Sequence, residues 1–353
     1  MARFLKKRKD VYGAAPGSVI FLGRKKMEES KIKVFQYNED SHTEFEVDSI
    51  QKSNVLLSSD SVTWINVYGL HDVELVNQIG TQFSISQLLL EDIVNTDHRP
   101  RLVVEHDYIA CIVKAMVYTP SDKKVHSDQI TCILGPHYII TFQERIAEYF
   151  EPVRHRIRTK AGKICSQNED YLLYSLLDTL IDNSLETIEI IGEQIEQIDM
   201  EIMHAYPKTA HKIYSLKNEI NYIRKQVRPL KEMIVQLQKS ESSLIQSGTL
   251  DYLQDLQELV SQAIESVDMY HAMVTDQLHV YNTYVSNKSN EIMKFLTMFA
   301  SLFIPLTFIV GIYGTNFEYV PEFKYKYSYF IMWGVMLLLT GGMLFYFKKK
   351  KWL

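Results

Sequence analysis

A chain of 353 residues, 46% of them hydrophobic and 23% charged, has the length for two or three domains. Its net charge of −5 excludes nothing by itself, but the charge is unevenly placed: carboxylates collect on long helical stretches and lysines at the end, Lys348 to Lys351. Cys111, Cys132 and Cys165 are odd in number and follow no ligand spacing, which argues against a disulfide framework or a cysteine metal site and fits reduced thiols facing a cytosol.

Residues 1–17 read as a basic arm ending at Pro16-Gly17. Its start, MARFLKKRKD, has no apolar core behind the positive charge and does not read as a signal peptide. Alternating runs at Val19–Leu22, Lys31–Tyr37, Thr43–Val47 and Thr63–Tyr68 predict strands. Helical patterns follow at Asp72–Phe83 and Ile85–Val94. Leu102–Val104, Tyr108–Tyr118, Gln129–Leu134 and Tyr138–Phe142 are again strand-like, and Ile146 to about Lys160 reads as a closing helix. Strands mixed with helices predict an α+β domain, a mixed sheet with helices packed on it. Cys111 and Cys132 lie in apolar runs as buried fillers. His98 stands alone before Arg99-Pro100 and reads as a turn residue.

From Asp170 the pattern is helical throughout. Tyr171 to about His204 is one amphipathic helix, ended by Pro207. Thr209 to about Leu244 is the next, with Pro229 inside it as an expected kink. After Ser247-Gly248 a stalk helix runs from about Leu250 to Tyr313, roughly 95 Å at 1.5 Å per residue. Val260, Val267, Val274 and Tyr281 recur every seven residues, with Ile264, His271, Leu278 and Val285 offset by four. Such a seam serves either self-association or packing on the preceding helix pair. Self-association is the favoured expectation, because it would bundle a membrane helix in line with it. His271 on the seam reads as a register-setting residue rather than a metal ligand. Glu186, Glu189, Glu193 and Glu196 face, on the next helix, Lys217, Arg224, Lys225 and Arg228, so charge pairing across the hairpin is expected.

Phe295 to Tyr313 holds no charge and is long enough to cross a bilayer. A second apolar run, Tyr327 to Phe347, has aromatic residues at both ends and is followed by the lysines. Aromatic belts and the positive-inside rule place both termini on the cytoplasmic side of a cell inner membrane, with Gly314 to Lys326 as an external loop. The predicted division is an arm (1–17), an α/β domain (18–165), a helical hairpin (166–248), a stalk (249–294), a first span (295–313), an external loop (314–326), a second span (327–347) and a basic tail (348–353). Polar residues in the first span, Thr297, Ser301 and Thr307, speak against a plain anchor. Met293, Ala300, Ile304, Thr307 and Gly311 fall on one helical face.

At Tyr313-Gly314-Thr315-Asn316-Phe317-Glu318 the sequence resembles the CorA family of magnesium and cobalt transporters, whose first membrane helix ends in Gly-Met-Asn. IPLTFIVGIYGTNFEYVPE, VSNKSNEIMK, FKKKKWL, TWINVYGL, LLLEDIVNTDHRPR and DYLLYSLLDTLID also look like family segments. The similarity extends from about Pro16 to the last residue. It implies a funnel-shaped homopentamer in the lipid bilayer, with five first spans lining a pore for divalent cations. No nucleic-acid partner and no organic cofactor are expected.

The resemblance implies a selectivity filter at Gly314, Thr315 and Asn316. A ring of Asn316 amides would accept hydrogen bonds from the waters that Mg2+ holds tightly. Asn290, Met293, Leu296 and Thr307 match pore-lining positions, the apolar ones able to gate by dewetting. Thr315 departs from the family's Met and leaves the choice among Mg2+, Co2+, Ni2+ and Zn2+ open. The flanking residues favour Mg2+, with Co2+ or Ni2+ accompanying. Asp92 and Asp255 match carboxylates that hold regulatory Mg2+ between subunits, with Glu91 and Glu258 near enough in sequence to assist. With no GxxxxGK[ST] loop, passive uptake driven by membrane potential is expected. The rivals are a proton-coupled Zn2+ transporter and a pore-less membrane-anchored coiled-coil scaffold. No nucleophile with a nearby base and no His/Cys metal spacing points to an enzyme.

Overall fold

The structure is a computed structural model that describes residues 13, 15–47, 57–202 and 207–352. Most of the predicted basic arm lies outside the described residues. The chain forms two compact units. One comprises residues 1–199 and 208–277, the other residues 200–207 and 278–353.

The first unit is built on seven strands: β1 (Lys31–Tyr37), β2 (His42–Val47), β3 (Val62–Tyr68), β4 (Arg101–Val104), β5 (Ile109–Thr119), β6 (Lys124–Gly135) and β7 (Tyr138–Gln143). They lie in the order β2-β1-β3-β7-β6-β5-β4. The β3–β7 pair is parallel and the others antiparallel, so the sheet is mixed as predicted. Two short helices, α1 (Val73–Gln82) and α2 (Gln87–Val94), connect β3 to β4. Their starts are set by side chains that satisfy otherwise orphaned amides. The Leu75 amide donates to the Asp72 carboxylate at 3.0 Å, and the Leu89 amide to the Ser86 hydroxyl at 3.4 Å. After β7 come α3 (Glu151–Thr159), α4 (Glu169–Ile202), α5 (Pro207–Gln238) and α6 (Ser247–Tyr313).

Alternation along the strands divides the core in two. Phe35, Cys111, Val113, Ile130, Cys132 and Ile139 point to one face and join Leu172, Leu176, Leu230, Met233, Leu253, Leu256 and Val260 of α4, α5 and α6. Ile32, Val34, Ala110, Ile112, Ile133 and Ile140 point to the other and join Val76, Ile79, Leu89, Leu90 and Ile93 of α1 and α2. Strands covered on both sides read as continuous apolar runs, which is why the central ones were legible. Cys111 and Cys132 are buried, free and directly opposite one another on β5 and β6.

Several expectations need correction. Val19–Leu22 forms no strand; it makes a single parallel bridge, Leu22 to Asn95. β6 begins at Lys124, well before Gln129, because the polar stretch Lys124–Asp128 continues the antiparallel ladder with β5. The helix predicted from Ile146 starts at Glu151, behind a 3-10 turn at Glu148–Phe150. α5 stops at Gln238, and Pro229 lies within it.

The heptad column of the stalk does not wait for another copy of the chain. Val260, Val267 and Val274 are buried within this one chain, Val260 in the same core as α4 and α5. The side-chain amide of Gln277, on α6, donates to the Ile195 carbonyl and the Asp199 carboxylate of α4, both at 2.7 Å. The ring of Tyr270 lies where a Cβ on Gly192 would be, so the glycine lets α6 approach α4 closely. The Val260–Val274 part of the seam is therefore intramolecular, while Val285 at its C-terminal end stays exposed. The expected pairing across the helical hairpin is likewise redirected. Arg224 and Arg228 of α5 pair with Asp268 of α6 at 2.8 and 3.0 Å.

The second unit holds residues 278–313 of α6 and the helix α7 (Ser328–Lys349), joined through a 3-10 turn at Pro321–Lys324. Both helices have an apolar stretch long enough to cross a membrane, with mean hydropathy 2.2 and 1.9. Large apolar side chains project outward from both, among them Ile304, Phe308 and Leu338. A surface of this extent needs lipid or other copies to cover it. The Lys294 ammonium donates to the Lys351 carbonyl at 3.0 Å, linking α6, where its apolar stretch begins, to the chain just past α7. There the Phe347 and Trp352 rings stack at 5.9 Å.

Candidate functional site

The residues singled out from the sequence fall into three groups. The first closes α6. Beyond Tyr313 the helix unwinds over Gly314 and Thr315. The Gly314 amide still donates to the Val310 carbonyl at 2.9 Å, and the Thr315 hydroxyl donates to the Ile312 carbonyl at 2.7 Å. The last turn thus satisfies its carbonyls locally. Thr315 commits its hydroxyl hydrogen to the helix. Asn316 is exposed just past this turn, and its amide makes no hydrogen bond to the other described residues.

The second group is the exposed face of α6 ahead of it. Asn290, Met293, Leu296 and Thr307 are all exposed. Turns of 100° per residue put Asn290, Met293, Ala300, Ile304, Thr307 and Gly311 within one stripe, with Leu296 at its border. The Thr307 hydroxyl donates to the Phe303 carbonyl at 2.8 Å, which keeps it satisfied in an apolar setting.

The third group is acidic. Asp92 sits in the last turn of α2 and is buried at 8% exposure. Its carboxylate is held by His98 Nε2 at 2.8 Å and by the Arg101 guanidinium, Nη1 at 2.9 Å. His98 is thus more than a turn residue. Glu91 accepts the Gly17 amide at 2.8 Å, stitching the N-terminal segment to α2. Asp255 and Glu258 are exposed on α6. Asp92 belongs to a helix on one face of the sheet and Asp255 to a helix on the other. The fold therefore keeps them apart within one chain. Among the described residues no group of three or more His, Cys, Asp or Glu side chains is placed to hold a metal ion. Their hard oxygen atoms still suit Mg2+, which keeps several waters and takes only one or two protein carboxylates.

Sequence reading missed the surroundings of Asp255. Burial and the neighbouring Asp182 raise the Asp178 carboxyl to about 6, with Arg156 opposing and Asp255 adding to the rise. The same Asp255 charge helps push the Tyr174 hydroxyl up, after burial and Asp178. The available signal was two aspartates four apart in an apolar helix, DYLLYSLLDTLID.

The backbone of α2 that carries Asp92 is pinned from the sheet. The Gln129 side-chain amide donates to the Asp92 and Ile93 carbonyls at 2.9 and 3.2 Å. The buried Lys114 ammonium donates to the Thr96 carbonyl at 2.6 Å and to the Gln129 side chain at 3.2 Å. Behind Gln129, Glu144 accepts the Gln129 backbone N–H at 2.6 Å and pairs with Lys26 at 2.8 Å. These groups satisfy one another in a dry site, which fixes the end of α2.

An α/β unit, a 67-residue helix whose C-terminal stretch is long and apolar enough to cross a membrane, and one further such helix, α7, make up the architecture of a two-span metal-ion transporter. The chain belongs to the family described as CorA-like Mg2+ transporter protein, whose profile matches residues 59–349. It is 36% identical over 342 residues to the cobalt/magnesium transport protein CorA of Thermotoga maritima, covering 97% of each chain. Its fold matches the solved CorA magnesium transporter of Methanocaldococcus jannaschii with a TM-score of 0.77 at 18% identity, covering 93% of this chain and 99% of that one. The ZntB cytoplasmic domain of Vibrio parahaemolyticus is similar at a TM-score of 0.58 and 12% identity, over 73% of this chain and 99% of that domain. Proteins of this family are transporters, not enzymes.

Proposed function

We propose that this chain is the subunit of a homopentameric channel that admits Mg2+, with Co2+ and Ni2+ as accompanying ions, down the membrane potential. The observation that carries the reading is the end of α6. A continuous helix brings an exposed, mostly apolar stripe that carries Asn290 and Thr307 to Gly314, Thr315 and Asn316, between two apolar stretches. Five copies would place five Asn316 amides around the mouth. Neutral carbonyls hold hydrated Mg2+ through its waters and release it again, as conduction requires. Two charges crossing 100 mV gain roughly 4.6 kcal/mol, enough to concentrate the ion without ATP. The lysines Lys348 to Lys351 support a cytoplasmic position for both termini in an inner membrane. Residues 18–165, the hairpin 166–248 and the stalk 249–294 would form the cytoplasmic part. There Asp92 of one subunit and Asp255 of the next, helped by Glu91 and Glu258, would bind regulatory Mg2+ and hold the ring closed.

Thr315 in place of Met keeps a proton-coupled Zn2+ transporter as the second reading. Uptake of Mg2+, Co2+ and Zn2+ into liposomes, with and without a pH gradient, separates them. Potential-driven Mg2+ entry that ignores the gradient is expected. Zinc flux that follows the gradient would assign the chain to the second reading, and no flux of any ion would leave a pore-less scaffold.

A further inference from the structure

We infer that Arg101, with His98 beside it, is the built-in counter-ion that Mg2+ must displace to reach Asp92, and so sets the ion concentration at which the channel closes. The inference rests on the regulatory role proposed for Asp92. Both oxygens of that carboxylate are engaged, Oδ1 by His98 Nε2 at 2.8 Å and Oδ2 by Arg101 Nη1 at 2.9 Å. A naked carboxylate this buried would be costly, so the pair lets α2 keep its place when no metal is bound. A divalent ion coordinates carboxylate oxygen at about 2.0–2.1 Å and repels a guanidinium at the same oxygen. Metal and arginine therefore compete for that oxygen.

The structure also shows which part can move. The backbone at Asp92 is held in place, because Gln129 and Lys114 hold the carbonyls of Asp92, Ile93 and Thr96. Arg101 is free to leave: its side chain is 46% exposed, and it opens β4, the strand at the sheet edge. Binding by the metal is weakened by the fraction of time the arginine occupies the site. A partly exposed pair of this kind is worth about a two- to fivefold change in apparent affinity.

The test measures, in liposomes holding the full-length protein, the internal Mg2+ concentration that halves uptake. Arg101→Gln is expected to lower it about two- to fivefold, and Arg101→Lys, which keeps the charge but not the fork, to lower it less. Arg99→Gln removes a neighbouring exposed charge that does not touch Asp92, and should change it little. Thermal unfolding without Mg2+ checks that each variant is assembled. If Asp92→Asn raises the midpoint while both Arg101 variants leave it unchanged or raise it, the counter-ion inference is overturned and the regulatory site stands. If Arg99→Gln acts as strongly as Arg101→Gln, general surface charge replaces the specific pair. If Asp92→Asn has no effect either, the regulatory reading itself is wrong.

Discussion

At the scale of single residues, Thr315 and Asn316 divide the work at the end of α6. Thr315 gives its hydroxyl hydrogen to the Ile312 carbonyl, so its side chain serves the helix terminus. Asn316 lies exposed beyond it with its amide uncommitted among the described residues. Asn316→Ala should therefore abolish Mg2+ uptake in liposomes, while Thr315→Met changes the rate little. A normal rate in the first variant together with a lost rate in the second would reverse the assignment. Asp178 makes a different prediction. Burial, Asp182 and Asp255 raise its folded pKa to about 6, above the usual 3.8. The folded state then binds the proton more tightly than the unfolded one, so stability is highest below the unfolded value and falls as pH rises through about 6. Asp178→Asn removes that loss. In EDTA its melting temperature should exceed wild type at pH 8, and the two should converge only as pH falls below about 3.8. After discounting for solvent screening, the gain at pH 8 is about 1 kcal/mol.

At the scale of elements, the helix that carries Asp92 depends on one close approach. A Cβ on Gly80 of α1 would lie 2.4 Å from a methyl of Leu90, which is fully buried in α2. Gly80→Val should therefore destabilise the protein by about 1–3 kcal/mol, read as a lower denaturation midpoint. It should also weaken inhibition by internal Mg2+, since Leu90 and Asp92 share a helix. The sequence made the elements visible unevenly, for physical reasons. The buried strands Val62–Tyr68 and Tyr138–Gln143 have apolar runs with few interruptions. The start of β6 was hidden because Lys124, His126, Ser127 and Asp128 are polar, and their pairing with β5 is set by the hairpin rather than by burial. The heptad column of α6 was visible, but its partner was not. A seven-residue repeat fixes which face is buried and leaves open whether another helix of the same chain covers it. Most of the acidic site was equally illegible. His98 and Arg101 meet Asp92 only because α2 ends and β4 begins at one corner. Asp178 meets Asp255 only because α4 lies along α6.

At the scale of the whole molecule, the separation of Asp92 and Asp255 becomes an argument for assembly. The sheet stands between the helices that carry them, so no side-chain motion within one chain unites them. If they share an ion, they do so across a boundary between copies. Since Val260, Val267 and Val274 are covered within the chain, that boundary around Asp255 forms on other faces, including the exposed acidic side of α6 with Asp251, Asp255, Glu258 and Glu265. Like charges at such a boundary repel until a divalent cation, or a cation such as Arg101, lies between them. Paired cysteines test this directly. With Asp92→Cys and Asp255→Cys in one chain, a short bifunctional thiol reagent should join neighbouring subunits in a ladder that ends at five. The native thiols interfere little. Burial holds Cys111 at about 12 and pushes Cys132 and Cys165 up as well, so little reactive thiolate forms at neutral pH. Either single variant should give no ladder, and the ladder of the double variant should be strongest in membranes prepared at high Mg2+, when the ring is closed. A ladder ending at two would replace the pentamer with a dimer. A product confined to single chains would show that the two positions meet inside one subunit, and the clamp between subunits would have to be abandoned.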